Sequence, residues 1–209
     1  MTTSTRILIA LVAASSVGCA SNTLDAHDRQ PFFFDARVRK NFEPSEGDKQ
    51  LHIEGAWTRA AGSTNELDYS IHTVNVGAGV DAELGEHGWS AVAAGISFQR
   101  AELDTDAVDA NQNTGVGLYA AVEGGWHATS IVEPYARLEG ALYLVEFSTM
   151  LSLEAGARFH VVEHAALFAG WRYARFNIRD VDGAFTVDEI DLDTSGIVVG
   201  LASRSNLLR

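Results

Sequence analysis

Lysine is almost missing from this chain. Lys40 and Lys49 are the only two, and the 15 basic residues face 28 acidic ones. A net charge of −13 offers no basic footprint for a phosphate backbone, which excludes nucleic acid as a partner. Cysteine occurs once, at Cys19, so no internal disulfide supports the fold. Proline occurs three times in 209 residues. The one sustained apolar run, Ile7 to Ala14, is too short to cross a bilayer as a helix. A helical membrane span is therefore excluded along the sequence, and any passage through lipid would need strands closed into a barrel.

The front of the chain reads as an export signal. Arg6 precedes the apolar run, and the small residues Ser15 to Ser21 follow it. Ser16-Val17-Gly18-Cys19 resembles a bacterial lipobox, which implies a signal over 1–18 and acylation of Cys19. Cleavage by ordinary signal peptidase after Ala20 is the alternative. Losing Arg6 with the signal takes the net charge from −13 to −14. Residues 19–49 read as a periplasmic tether. Within them, the patch Pro31 to Arg39 is open to three readings: a ninth strand, a short plug or an interfacial helix.

From residue 50 to 204 the pattern is strand after strand with period-two alternation. In Thr73 to Leu84, Val74, Val76, Ala78, Val80, Ala82 and Leu84 share one face, while Asn75, Gly77, Gly79, Asp81 and Glu83 lie on the other. Eight strands are expected, at about 51–59, 70–84, 89–101, 114–126, 132–144, 150–160, 165–177 and 189–202. The connections 85–88, 127–131 and 161–164 are short, as is 145–149. The connections 60–69, 102–113 and 178–188 are longer and mostly acidic. In a transmembrane barrel short turns face the periplasm, so an eight-strand count places the N-terminus on that same side. The last strand fits least well. Ile197, Val199 and Leu201 fall on the face of Asp191 and Asp193, which suggests a register shift near Gly196.

The polar parity collects Glu54, Glu123, Arg137, Glu139, Glu154, Arg158 and Arg172 on one face. Such a set is expected to pair as a charge ladder inside the barrel, because an unpartnered buried charge is costly. Other motifs carry less. His160-Val161-Val162-Glu163-His164 matches a zinc-peptidase pattern, but that chemistry needs the histidines one helical turn apart, and here they bracket a turn between strands. Asp104, Asp106 and Asp109, and Asp180, Asp182, Asp188 and Glu189, are oxygen donors without EF-hand spacing, and read as solvated loops. No serine has a nucleophile-elbow context. No metal, no cofactor and no catalytic residue is expected.

The run Leu167-Phe168-Ala169-Gly170-Trp171-Arg172-Tyr173, followed by Ile190 to Leu201, resembles the small eight-stranded outer-membrane β-barrels of the OmpA-like and opacity type. That resemblance implies an all-β, eight-stranded antiparallel transmembrane barrel in the bacterial outer membrane. It also implies a structural or surface-interaction role, not an enzymatic one. Membrane lipid is the expected partner, with an unidentified surface or cell-wall ligand, and the chain is expected to be a monomer. The alternatives are a periplasmic lipocalin-like barrel for a small apolar ligand and a barrel enzyme acting on envelope lipid. What separates the first two is whether Leu118, Leu138, Leu153 and Leu167 point out of the barrel or into it.

Overall fold

The structure is a computed structural model. It describes residues 23–28, 31–42, 49–64, 67–105, 108–144, 148–162, 164–179 and 189–206. The signal, Cys19, Glu163, Asp106, Asp180, Asp182 and Asp188 lie outside the described residues.

Ten strands form one closed sheet: β1 (Thr23–Asp28), β2 (Phe32–Asn41), β3 (Lys49–Ser63), β4 (Asp68–Leu84), β5 (Gly88–Thr105), β6 (Val108–Trp126), β7 (Val132–Tyr143), β8 (Thr149–Val162), β9 (Ala165–Arg179) and β10 (Glu189–Asn206). From β2 to β10 each strand pairs antiparallel with the next, and the ring closes where β2 lies parallel to β10. β9 covers one edge of β10. β1 and β2 share its other edge, β1 against Glu189 to Thr194 and β2 against Ile197 to Asn206. The two segments occupy one position in the wall, so the wall has nine strands.

The eight-strand expectation is therefore corrected to nine. The ninth is β2, which decides the three readings of the Pro31 to Arg39 patch in favour of a strand. Phe32 to Asn41 alternates as cleanly as the others: Phe33, Asp35 and Asn41 are buried, and Phe32 and Val38 are exposed. A ninth strand has a physical cause. The edge of β10 beyond residue 196 would otherwise present unpaired N–H and C=O groups, and β2 satisfies them.

An odd count also changes which end of the wall its first described strand starts from. The first and last wall strands run in the same direction. Thr23 lies beside Glu189, at the end carrying the connections 64–67 and 144–148, whereas Asn206 lies beside Asn41, at the end carrying the turns 85–87 and 127–131. Thr23 and Asn206 are at opposite ends of the barrel. Strands also take up much of the connections expected to be long: β3 and β4 leave only 64–67 between them, and β5 and β6 run to Thr105 and from Val108. At the other end, Gly85 takes a positive φ of 70°, the left-handed conformation that lets the chain reverse within the Gly85–Glu86–His87 turn.

The large apolar side chains point outward over most of the wall. Leu118 is 55% exposed, Leu153 54% and Leu167 50%. On β4 the apolar outer face runs from Val74 to Leu84. At about 3.3 Å per residue and a tilt of roughly 40°, this spans about 25 Å of barrel height. The same belt continues as Val116, Leu118 and Val122 on β6, as Leu151, Leu153 and Phe159 on β8, and as Ile197 and Leu201 on β10.

Towards the connections 64–67 and 144–148 the pattern inverts. On β4 the outer face changes from Val74 to His72, Ser70 and Asp68. On β5 it changes from Phe98 to Arg100, Glu102 and Asp104. The inner face there becomes apolar: Tyr69, Ile71, Leu103, Phe176, Ile178, Ile190 and Leu192 are all buried. This inversion, and not a slip, explains the last strand. β10 stays in register with β9 from Glu189 to Ser203 without a shift at Gly196. Asp191 and Asp193 do share the outer face of Ile197, but they lie beyond the apolar belt, where Arg175 reaches Asp191 at 3.0 Å and Tyr173 donates to Asp193 at 2.8 Å.

Candidate functional site: the charged lumen

Inside the belt the barrel holds a dense ionic network. Its geometry starts from strand register. Glu123 sits opposite Arg137, Arg137 opposite Glu154, and Glu154 opposite Arg172, so four adjacent strands present alternating charge along one row. Opposite charges directly across a strand pair stabilise it, and the register that aligns the apolar belt also aligns this row.

All seven ladder residues expected from the sequence come together here. Arg137 is 4% exposed and reaches Glu139 at 2.8 Å, Glu54 at 3.2 Å and Glu123 at 3.6 Å. Arg158 bonds Glu123 and reaches Glu133 at 2.9 Å. Arg172 holds both Asp35, at 3.0 Å from its Nη1, and Glu154, at 2.9 Å from its Nε.

Five members escaped sequence reasoning. Arg37 bridges Asp35 at 2.6 Å and Glu154 at 2.7 Å. Arg39 holds Glu123 at 2.8 Å, Glu54 at 3.0 Å and Asp81 at 3.1 Å. Asp35, Arg37 and Arg39 come from β2, and their signal was the alternation Phe33-Asp35-Arg37-Arg39-Asn41 within the supposed tether. Asp81 and Glu133 were on the lumen parity of β4 and β7 and could have been included by that rule alone. The completed set has five arginines, 37, 39, 137, 158 and 172, and seven carboxylates, 35, 54, 81, 123, 133, 139 and 154.

Aromatic rings complete the packing. The Arg158 guanidinium lies 4.5 Å from the Tyr135 ring centroid and 5.2 Å from that of Trp89, and Arg37 lies 4.6 Å from that of Phe168. Trp89 is therefore a lumen residue, 4% exposed, whereas Trp126 and Trp171 face outward at 58% and 52%. Tyr119 donates to Glu54 at 3.3 Å, and Asn75 donates to Glu139 at 2.6 Å. Gly77 makes room for the first of these: a Cβ there would overlap the Tyr119 hydroxyl and the Ala94 carbonyl.

The interior has three levels. At the end of turns 85–87 and 127–131, a cavity of 420 Å³ opens among Arg39, Glu83, His127, Glu133, Arg158 and His164. The ionic network forms its floor. Above the network, where Thr73, Arg137 and Glu154 meet Phe33, Ile71 and Met150, a space of only 10 Å³ remains, about the room of one water. The apolar cluster then fills the far end.

His160 and His164 do not sit on a helix. His160 belongs to β8 and faces Glu133 at 3.5 Å, while His127 Nδ1 lies 3.0 Å from the same carboxylate. Among the described residues no group of three histidine, cysteine or acidic side chains is placed to hold a metal ion.

No family model, no curated protein and no solved structure matches the chain. The barrel stands on its own geometry, and its nine strands depart from the eight of the small barrels it resembles.

Proposed function

We propose that the chain is a bacterial outer-membrane β-barrel with a structural or surface-interaction role. One observation carries this reading: the inversion of the inside–outside pattern along the barrel. A soluble barrel keeps apolar side chains inside along its whole height. Here a belt about 25 Å tall is apolar outside and charged inside, which is the arrangement of a wall that faces lipid. Past His72, Arg100 and Arg175 the same strands turn polar outside and apolar inside, the arrangement of a wall that faces water.

The filled lumen supports a role other than transport. Among the described residues a paired network and an apolar cluster fill the lumen, and buried ion pairs held by several arginines favour one fixed arrangement. The lipocalin-like alternative has less support, because the 420 Å³ cavity carries Arg39, Glu83, Glu133 and Arg158 in its wall, where an apolar ligand would need apolar side chains. No side chain in the network is placed to act on a lipid outside the wall.

The test is contact with acyl chains. In a Cys19→Ala background, Leu153→Cys and Ser152→Cys are each labelled with a small fluorophore before folding into vesicles whose lipids carry quenchers in the acyl chains. Leu153 is 54% exposed and Ser152 is buried in the lumen. Strong quenching at 153 and little at 152 is the expected result. Equal, weak contact at both positions would sink the membrane reading.

A further inference from the structure

Resting on that membrane reading, we propose that Arg59, His72 and Arg100 form an external docking row for the phosphate of an anionic lipid headgroup. The row follows from register. Arg59 on β3 is directly opposite His72 on β4, and His72 is directly opposite Arg100 on β5. All three project outward at the plane where the apolar belt ends. The next outward residue on the belt side of each is Trp57, Val74 or Phe98. In a lipid bilayer that plane is where phosphates lie.

The ground below the row is aromatic. Trp57 stacks on His72 with ring centroids 6.0 Å apart and 21° between planes, and Phe34 meets Trp57 edge-on at 5.7 Å. Amphipathic rings of this kind form the girdle of a transmembrane barrel. They give the glycerol and first methylenes of a lipid a flat contact while its phosphate reaches the guanidiniums.

The opposite wall shows what a satisfied rim looks like. There Arg175 is held by Asp191 at 3.0 Å and approaches Asp193 at 3.8 Å, and Arg179 is held by Glu189 at 3.3 Å. On β3 to β5, among the described residues, no carboxylate lies within ion-pair distance of Arg59 or His72. His72 Nε2 meets only the Ser70 hydroxyl, at 3.3 Å. Arg100 bonds Glu102 at 2.9 Å. The carboxylates of this wall, Glu102, Asp68 and Asp104, stand one or two outward positions farther from the belt, on the water side. The row thus sets two guanidiniums, with the His72 ring between them, on the lipid side and acids on the solvent side, an order that suits a headgroup phosphate coming from the membrane. Arginine binds phosphate through paired N–H groups, which makes it the apt residue here.

The test is native mass spectrometry of the full chain, folded in detergent with equal amounts of phosphatidylglycerol and phosphatidylcholine of matched acyl chains. Retention of the anionic lipid by the wild type is expected to exceed that of the zwitterionic lipid by about tenfold, the effect of roughly one charge-assisted hydrogen bond. The Arg59→Gln/His72→Gln double variant should lose the preference. Arg175→Gln, on the satisfied wall, should keep it. Arg59→Lys retains the charge and serves if the double variant fails to fold; it should retain most of the preference. Equal retention of both lipids by the wild type, or an undiminished preference in the double variant, would overturn the proposal. So would loss of the preference when inorganic phosphate is added, since that would assign the row to free phosphate. Flotation with neutral vesicles separates the two levels. A chain that does not float fails as a membrane barrel, whereas one that floats without lipid preference fails only this inference.

Discussion

At the scale of single residues, the lumen arginines are the groups whose removal should cost most. Arg172 is 6% exposed and holds two carboxylates that are themselves 1% exposed, Asp35 and Glu154. Arg172→Met would leave two like charges facing each other out of water. Breaking a buried pair from one side costs about 3–5 kcal/mol. We expect a loss of that size in urea unfolding of the vesicle-inserted protein, with Arg37 keeping it at the lower end because it also reaches both carboxylates. An unchanged midpoint would mean that water enters the network freely. Gly77→Ala tests packing instead of charge. The new methyl would press on a ring and a carbonyl that cannot both yield, and overpacking of this kind costs roughly 1–3 kcal/mol. The same unfolding titration reads it.

At the scale of the strand, β4 contains its own control. Val76 is 56% exposed within the belt, and Ser70 lies on the same outer face beyond the inversion. Arginine at a bilayer midplane costs about 2–4 kcal/mol in such barrels, and about 0–1 kcal/mol near an interface. Val76→Arg should therefore weaken folding into vesicles by several kcal/mol, and Ser70→Arg should leave it nearly unchanged. Both substitutions place the same side chain on the same face of the same strand. Equal effects would mean that no lipid boundary lies between them. The strands also show what periodicity can and cannot deliver. Each of the eight expected spans is present, and each residue of the expected ladder is on the lumen side, because a period of two assigns faces without any knowledge of neighbours. β2 was left among three readings because it lies behind a turn signal, Pro44 to Asp48, and carries charge on its inner face.

At the scale of the whole molecule, the ninth strand sets the geography. With β2 parallel to β10, Thr23 and Asn206 stand at opposite ends of the barrel. If the barrel spans the outer membrane as proposed, an epitope inserted before Thr23 and one appended after Arg209 should differ on intact cells: one is read by antibody outside, and the other only after that membrane is opened. Equal access would contradict the odd strand count. If Cys19 is the first mature residue and is acylated, mass spectrometry will find the acyl mass on a chain beginning at Cys19.

Alternation by itself determined that this chain makes strands and which side chains share a face. Those are local properties, since a strand cannot put two neighbouring side chains on one side. Sequence could not say which face was inward, because apolar-in and apolar-out barrels have the same period. The inversion along the strand is likewise invisible until the ends of neighbouring strands are aligned, and so Asp191 and Ile197 looked like a register error. The count of nine, the parallel seam and the recruitment of Asp35, Arg37 and Arg39 were decided only by closure. A sheet edge must find a partner, and the choice between β3 and β2 as the partner of β10 depends on the circumference of the whole ring.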